Sequence, residues 1–143
     1  MGQNKLRAFL HFIWATHDRL PLITEEIERD LYRYISAVCR DDQCEVLAIG
    51  GMPDHVHLLV GLSNTISLAD LMKHVKGGSS RFVTQKLKPG EWFAWQSSYA
   101  VFAVSPRDKK MVIGYIQNQK RHHAENTLWP EAETTEEDAE TNN

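Results

Sequence analysis

Short apolar segments and longer amphipathic segments alternate along the chain. Four short segments, rich in β-branched and aromatic residues, predict strands: 7–16, 45–49, 55–62 and 99–104. Three segments repeat apolar residues at helical spacing and predict helices: one from Glu25 to about Arg40, one that starts after Ser67, and one from Pro106 to about Ala124. The hydrophobic pattern therefore predicts the order strand, helix, strand, strand, helix, strand, helix.

The first six predicted elements match the βαββαβ plan of ferredoxin-like and RRM-like domains. In that α+β fold, two helices cover one face of an antiparallel sheet. Turn residues at 50–54 predict that the second and third strands form a hairpin. Gly77 and Gly78 predict a loosened or kinked second helix. The seventh element is an additional C-terminal helix, which must pack on the free face or at an edge of the sheet.

Charge is distributed unevenly along the 143 residues. The formal net charge is −3, but residues 125–143 contain seven acidic residues and no Lys or Arg. Without that segment, 16 basic residues face 12 acidic ones, so residues 1–124 carry a charge of +4. We therefore expect one domain at 1–124 and an acidic, disordered tail at 125–143 that competes with anionic ligands for the basic surface.

Composition and cysteine content narrow the class of protein. With 42% hydrophobic and 24% charged residues, the chain has the composition of a soluble globular protein. Cys39 and Cys44 are too few for a disulfide framework, and we expect reduced structural thiols. The early apolar segment at 8–15 is too short to cross a bilayer and lacks a cleavage site for a secretory signal. These features predict a cytoplasmic protein with no membrane partner.

Two histidines stand two residues apart inside a predicted strand. His55 and His57 therefore project from the same face, while Val56 and its apolar neighbours project from the other face. A pair of adjacent imidazoles can bind a metal ion, since histidine is the commonest neutral metal ligand. A pair of hydrogen-bonded or surface histidines is the alternative. Leu59 argues against a histidine-triad hydrolase, which needs a third histidine there.

The predicted C-terminal helix carries a polar stripe beside an apolar one. Val112, Ile116 and His123 lie on the stripe that we expect to pack, and Tyr115, Gln119 and His122 lie on the adjacent stripe. A tyrosine hydroxyl can act as a nucleophile, and an amide oxygen can complete a metal site with two histidines. A packing role for Tyr115 is the alternative.

Basic residues cluster around the predicted second helix and at the end of the last one. Their ammonium, guanidinium and hydroxyl groups suit contacts with DNA phosphates, although a solvated helix face has the same composition. The candidates for DNA contacts are Lys73, Lys76, Ser79, Arg81, Lys120 and Arg121.

Two motifs in this order resemble a known family. The segment 51–60, with His55 and His57, resembles the His-hydrophobic-His motif of the small single-tyrosine (HUH) transposases of bacterial insertion sequences. The segment from Tyr115 to Gln119, followed by His122 and His123, resembles the tyrosine helix of that family. Aromatic segments at 9–14 and 93–96 are also similar, so the resemblance spans about residues 8–124.

The resemblance implies an activity and a role for each motif residue. His55, His57 and Gln119 would be ligands of Mg²⁺ or Mn²⁺, and Tyr115 would attack a DNA phosphate to form a 5′-phosphotyrosine. The expected substrate is single-stranded DNA with hairpin ends. The resemblance implies a homodimer, which is typical of the family, and in many members the tyrosine helix of one subunit completes the histidine site of the other.

Two other functions stay open at this point. A non-catalytic DNA hairpin-binding module, derived from such a transposase, would use the same sheet without cleaving a strand. A metal-dependent phosphodiesterase would use His55 and His57 with water as the nucleophile and would form no covalent adduct.

Overall fold

A four-stranded antiparallel sheet forms the centre of the protein. The computed structural model describes residues 8–135 and Asp138. The strands are β1 (Phe9–Ala15), β2 (Glu45–Met52), β3 (His55–Gly61) and β4 (Ala100–Val104). Their order across the sheet is β2-β3-β1-β4, with every neighbouring pair antiparallel. This is the strand order of a ferredoxin-like sheet, so the predicted α+β fold is confirmed.

Helices and several short helical turns complete the fold of the described residues. The α-helices are α1 (Glu25–Asp41), α2 (Leu68–Phe82), α3 (Lys109–Gln117) and α4 (Gln119–Glu125). Three 3₁₀ turns lie at His17–Arg19, Pro106–Asp108 and Pro130–Ala132, and a π-helical turn at Val83–Leu87 extends α2. None of the described helices is long and apolar enough to cross a membrane.

Helices α1 and α2 cover one face of the sheet. On β3, the side chains of Val56, Leu58 and Val60 point to this face and are fully buried with apolar residues of both helices. The predicted helix start at Ser67 is confirmed, because its hydroxyl oxygen accepts a hydrogen bond from the Asp70 backbone N–H at 3.1 Å. This alternation along β3 leaves the opposite face free for the histidines.

Helix α3 occupies the opposite face of the sheet, as predicted for the seventh element. Val112 and Ile116 pack there on Leu59 of β3 and Ala48 of β2. The approach is close at Gly50, where an added Cβ would overlap the Ile116 carbonyl oxygen. Gly50 therefore allows the backbone of α3 to rest directly on the sheet.

The glycine pair in α2 does not kink the helix, which corrects the sequence prediction. Helix α2 continues through Gly77 and Gly78 to Phe82. Tyr34 of α1 lies over this turn and stacks on Phe82 with a centroid distance of 4.4 Å. A Cβ on Gly78 would lie 2.8 Å from the Tyr34 hydroxyl oxygen, so Gly78 allows α1 and α2 to approach.

The predicted C-terminal helix is interrupted at one residue. A 3₁₀ turn at Pro106–Asp108 precedes α3, and Asn118 (φ −109°, ψ 27°) separates α3 from α4. The Asn118 side-chain amide donates to the Gly114 carbonyl oxygen at 2.7 Å and stabilises this break. The break rotates the residues that follow Asn118 relative to an uninterrupted helix.

The acidic tail is folded over the stretch that the structure describes, which corrects the prediction of disorder there. Asn126 ends α4 in a left-handed conformation (φ 56°), and the chain then returns across the sheet through Pro130–Ala132. Glu133, Thr135 and Asp138 are buried. Their polar groups find partners on the body of the protein, and composition alone does not reveal such pairing. Residues 136, 137 and 139–143 of the tail lie outside the described residues.

Cys39 and Cys44 are free and buried. Burial, followed by the influence of Cys44, raises the pKa of the Cys39 thiol to about 12. At neutral pH this thiol is protonated, which matches the predicted structural role.

We predict opposite effects on stability for two glycine substitutions. Gly50→Ala should lower the free energy of unfolding by about 1–3 kcal/mol, because α3 must shift away from the sheet. Gly77→Ala is the control: it lies inside α2 with nothing within 4 Å of an added Cβ, and should raise the free energy of unfolding by about 0.5–1 kcal/mol. Urea unfolding followed by circular dichroism measures both. Equal effects would contradict the close contact at Gly50.

Candidate functional site

His55 and His57 lie together on the face of the sheet that α3 covers. Both side chains are buried, and their ring centroids are 5.0 Å apart. They project to the same face because side chains alternate along β3, as predicted. Both rings approach residues from α3, α4 and the tail.

Helices α3 and α4 bring three polar side chains to the histidines. The Gln119 amide oxygen lies 3.2 Å from His55 Nε2, and the Tyr115 ring is 5.8 Å from the His57 ring. His123, which the sequence placed on the packing stripe, lies 3.1 Å from the same Gln119 oxygen through its Nε2. The break at Asn118 accounts for this difference. His122, predicted on the polar stripe with Tyr115, lies with its ring centroid 4.8 Å from that of Tyr115, and its Nδ1 lies 2.9 Å from the Thr127 hydroxyl oxygen.

The Glu133 carboxylate occupies the centre of the site. Its oxygens lie 3.0 Å from His55 Nε2, 3.2 Å from His57 Nε2 and 3.0 Å from His123 Nε2. It also accepts hydrogen bonds from the Gln119 amide, at 3.2 Å, and from the Tyr115 hydroxyl. All these groups converge on one carboxylate.

His55, His57 and Glu133 form a group that could hold a metal ion. Each offers one ligand atom, and these atoms all lie within 4.8 Å of one another. His57 Nε2 is buried and, despite its closeness to Glu133, has no partner with hydrogen-bond geometry among the described residues. A buried nitrogen without such a partner, beside a second imidazole and a carboxylate, fits a divalent cation.

Neighbouring residues orient both imidazoles. His55 Nδ1 lies 2.7 Å from an Asp54 carboxylate oxygen, and His57 Nδ1 lies 2.9 Å from His11 Nε2. With Nδ1 engaged in this way, each imidazole directs Nε2 toward the centre of the site. Outer partners of this kind are typical of metal-binding histidines.

Burial and the carboxylates divide the protonation states of the site. Burial disfavours the charged form of His55, but Asp54 and Glu133 outweigh burial and raise the pKa of His55 to about 9. For His57, burial dominates and lowers the pKa. Burial also opposes ionisation of Glu133, yet the neighbouring His55 and His57 imidazoles hold the pKa of its carboxyl well below the usual range. The free site therefore pairs a His55 imidazolium with the Glu133 carboxylate.

Tyr115 is held in a closed environment. Its ring stacks on Trp129 with a centroid distance of 3.8 Å, and its hydroxyl oxygen accepts a hydrogen bond from the Trp129 backbone N–H at 3.1 Å. Burial, followed by the hydrogen bond to Glu133, raises the pKa of the phenol to about 12. In this arrangement the hydroxyl is protonated and engaged with the tail.

Four of the six candidate DNA-contacting residues are separated from this site. Lys73, Lys76, Ser79 and Arg81 belong to α2, on the other face of the sheet. The Lys76 ammonium donates to the Gln96 and Ser98 carbonyl oxygens, and the buried Ser79 hydroxyl accepts from the Trp95 indole N–H. Lys73 and Arg81 are exposed.

The two basic residues of α4 are exposed on the side of the sheet that carries the site. Lys120 forms an ion pair with Glu28 of α1 at 2.8 Å, and Arg121 faces solvent. Lys120 and Arg121 directly follow Gln119 in α4 and are the candidates for DNA contacts that lie next to a site residue.

The site includes residues that sequence reasoning did not select. Asp54 was detectable in principle, because it directly precedes His55. His11 was also detectable: it lies on β1 two residues before Ile13, and Ile13 is the residue that pairs with His57 on β3. Glu133 carried no signal among the seven acids of the tail. One chain also brings Tyr115 and Gln119 to its own histidines, whereas the family resemblance predicted a helix that acts on the partner subunit.

The sequence is similar to a known protein family and to one characterised relative. The family model described as IS200-like transposase matches residues 5–119. The ISDra2 transposase TnpA of Deinococcus radiodurans is 31% identical over 114 residues, which cover 76% of this chain and 81% of that protein.

Two solved structures share the fold. One is a protein from Deinococcus radiodurans R1 described as a transposase, with a TM-score of 0.64, 30% identity, and coverage of 83% of this chain and 96% of that one. The other is a REP-associated tyrosine transposase bound to a REP hairpin, with a TM-score of 0.64, 19% identity, and coverage of 86% and 74%. The match to the family model spans most of the sequence and both motifs, and the chain therefore belongs to the IS200-like transposases and has the function of a DNA transposase.

Proposed function

We propose that this transposase cleaves and rejoins single-stranded DNA through nucleophilic attack by Tyr115. The observation that carries the proposal is the convergence of Tyr115, Gln119 and both motif histidines on the Glu133 carboxylate. A carboxylate and a phosphodiester are both anions with two oxygens available to donors and cations. Glu133 therefore marks the position where the scissile phosphate binds.

His55, His57 and Gln119 are the proposed ligands of a divalent metal, Mg²⁺ or Mn²⁺. Glu133 would supplement this set in the free protein, and the phosphate of bound DNA would take the position of its carboxylate. A bound divalent cation supplies Lewis-acid polarisation of the phosphate and favours the ionised form of the phenol. Two imidazoles and an amide are softer ligands than carboxylates and suit Mn²⁺ better than Mg²⁺. The concentration of each metal in the cell also determines which one is bound.

The Tyr115 oxygen forms the new bond to phosphorus, and the bond from phosphorus to the 3′-oxygen breaks. The 5′ end of the cut strand stays on the tyrosine as a phosphotyrosine, and the proton lost by the phenol balances the one gained by the free 3′-hydroxyl. Because the phosphodiester energy is retained, attack by a 3′-hydroxyl reverses the step and joins DNA without ATP. Trp129 stacks on the Tyr115 ring and fixes its direction.

Hairpin recognition and dimerisation are proposed from the family. The REP-associated relative is bound to a hairpin, and we propose that this chain also recognises a hairpin beside its cleavage site. A homodimer stays a prediction from the resemblance. Since Tyr115 reaches the histidines of its own chain, we propose that each subunit of that dimer holds a complete site.

We predict that Tyr115→Phe abolishes a covalent protein–DNA adduct. Full-length protein incubated with a labelled single-stranded oligonucleotide and Mn²⁺ should give an adduct that survives denaturing electrophoresis. Tyr115→Phe should give none and should still bind DNA. Tyr99→Phe is the control and should retain the adduct, because Tyr99 packs on Phe12 in the core between the sheet and helices α1 and α2. If the wild-type protein binds DNA but cleaves none at any metal concentration, the result would support the hairpin-binding module instead. If it cleaves DNA repeatedly without forming an adduct, the result would support a water nucleophile.

We predict a graded loss of metal affinity from substitutions around the histidines. His57→Ala removes a proposed ligand and should abolish measurable Mn²⁺ binding. Electron paramagnetic resonance of Mn²⁺ in the absence of DNA measures this binding. Asp54→Ala removes the partner of His55 and should weaken binding by about 10–100-fold. His74→Ala is the control, because this half-exposed histidine pairs with Asp42 away from the site. Mn²⁺ affinity unchanged in His57→Ala would contradict the proposed ligand set.

We predict that Glu133 competes with DNA. Glu133→Gln keeps the shape of the side chain and removes its charge, so it should tighten binding of single-stranded DNA about tenfold and speed formation of the adduct. The effect should be largest at low salt. Glu131→Gln removes an exposed charge from the same tail and should change neither. Slower adduct formation in Glu133→Gln would show instead that the carboxylate is needed for catalysis.

A further inference from the structure

A second carboxylate of the tail, that of Asp138, lies beside the histidine site between the side chains of Arg19 and Gln96, which together are called the socket below. Asp138 is buried, and its oxygens accept hydrogen bonds from Arg19 Nε at 3.2 Å, Arg19 Nη2 at 2.7 Å and Gln96 Nε2 at 2.7 Å. Thr135 of the tail also donates to this carboxylate. The two parallel bonds from one guanidinium are the geometry by which arginine binds carboxylates and phosphates alike.

The socket belongs to the body of the protein, and its occupant does not. Arg19 and Gln96 lie within residues 5–119, which match the transposase family, whereas Asp138 lies beyond them. Gln96 is 5% exposed, and its backbone N–H donates to the Ala15 carbonyl oxygen at 2.8 Å. The Gln96 backbone is therefore held by the end of β1. Its side-chain amide pairs with the tail, because Nε2 donates to Asp138 and Oε1 accepts from the Thr135 hydroxyl at 3.1 Å.

Arg19 is presented by a strained turn. Asp18 and Arg19 both have left-handed backbone conformations, with φ of 52° and 55°. Residues other than glycine rarely adopt this region, and such strain often occurs at ligand-binding positions. The Thr16 hydroxyl closes the turn by donating to the Leu20 carbonyl oxygen at 2.6 Å. Sequence reasoning did not select Arg19, because nothing near it has the pattern of a site.

The socket adjoins the proposed metal ligands. Arg19 Nη1 lies 3.5 Å from His55 Nδ1 and 3.7 Å from an Asp54 carboxylate oxygen. Arg19 Nη2 also donates to the Glu133 backbone carbonyl at 2.6 Å. The tail therefore places two carboxylates, Glu133 and Asp138, in neighbouring anion positions on the body. Successive phosphates of one DNA strand are likewise neighbouring anions.

We propose that Arg19 and Gln96 bind the phosphodiester next to the scissile one, and that Asp138 fills this position in the free protein. The inference rests on the proposed function, since it takes the histidine site as the place of cleavage. Arg19 and Gln96 contact the DNA backbone, so they contribute affinity and alignment of the strand and carry no base specificity.

Binding of oligothymidylate to the full chain, in EDTA and over a range of salt, tests this assignment. Asp138→Asn should tighten binding severalfold relative to Glu131→Gln, which removes a tail charge outside the socket. Adding Arg19→Gln to Asp138→Asn should then weaken binding about tenfold and reduce the slope of log Kd against log salt by about 0.7. Using Asp138→Asn as the background separates DNA contact from release of the tail.

Arg33→Gln in the same background is the matched control, because Arg33 is an exposed arginine of α1 on the other face of the sheet. Arg19→Lys keeps the charge and removes the fork, so it should weaken binding and leave the salt slope unchanged. Thermal melts establish that each variant is folded. The proposal is overturned if Arg19→Gln and Arg33→Gln bind alike, or if Asp138→Asn binds no tighter than Glu131→Gln.

The outcome is independent of strand cleavage. Binding in EDTA needs no metal and no reaction, so dependence on Arg19 in a protein that forms no adduct would refute only the proposed chemistry. An adduct that forms normally, together with binding that ignores Arg19, would refute only the socket.

Discussion

The alternation of side chains along β3 is the constraint on which the rest of the site depends. Val56, Leu58 and Val60 are buried beneath α1 and α2, so His55 and His57 must point to the opposite face. A shift of one residue in register would exchange the two sets and place imidazoles in the apolar core. The stability of the main core and the position of the histidines are therefore two results of the same pairing.

The free face of the sheet becomes a site because α3 is held close to it. Gly50 lets the α3 backbone approach β2, and Asn118 then turns the chain so that Gln119 and His123 join Tyr115 at the histidines. The polar groups gathered there are buried and would be costly without partners. In the free protein, the carboxylate of Glu133 is the partner of Tyr115, Gln119 and His123.

The tail covers the histidine site and the neighbouring Arg19 in this structure. Glu133 engages the proposed nucleophile, and Asp138 engages Arg19, so the same segment covers both anion positions. The pKa of Tyr115 is raised to about 12 in this form, so its phenol is protonated at neutral pH. On the proposed function, DNA must displace a segment whose charges resemble its own. Ionic strength would then influence both partners of that exchange.

Periodicity within the sequence determined the order of strands and helices along the chain, the shared direction of His55 and His57, and the helix start at Ser67. Each of these follows from local spacing and from burial of apolar residues, which act over a few neighbouring positions. Tertiary structure decided the helix break at Asn118, the course of the tail, and the pairing of Glu133 and Asp138 with residues more than 70 and 110 positions earlier in the chain. Contacts between residues so far apart depend on the folded geometry. Charge and composition indicate that a buried acid needs a partner, but they do not identify the residue that becomes its partner.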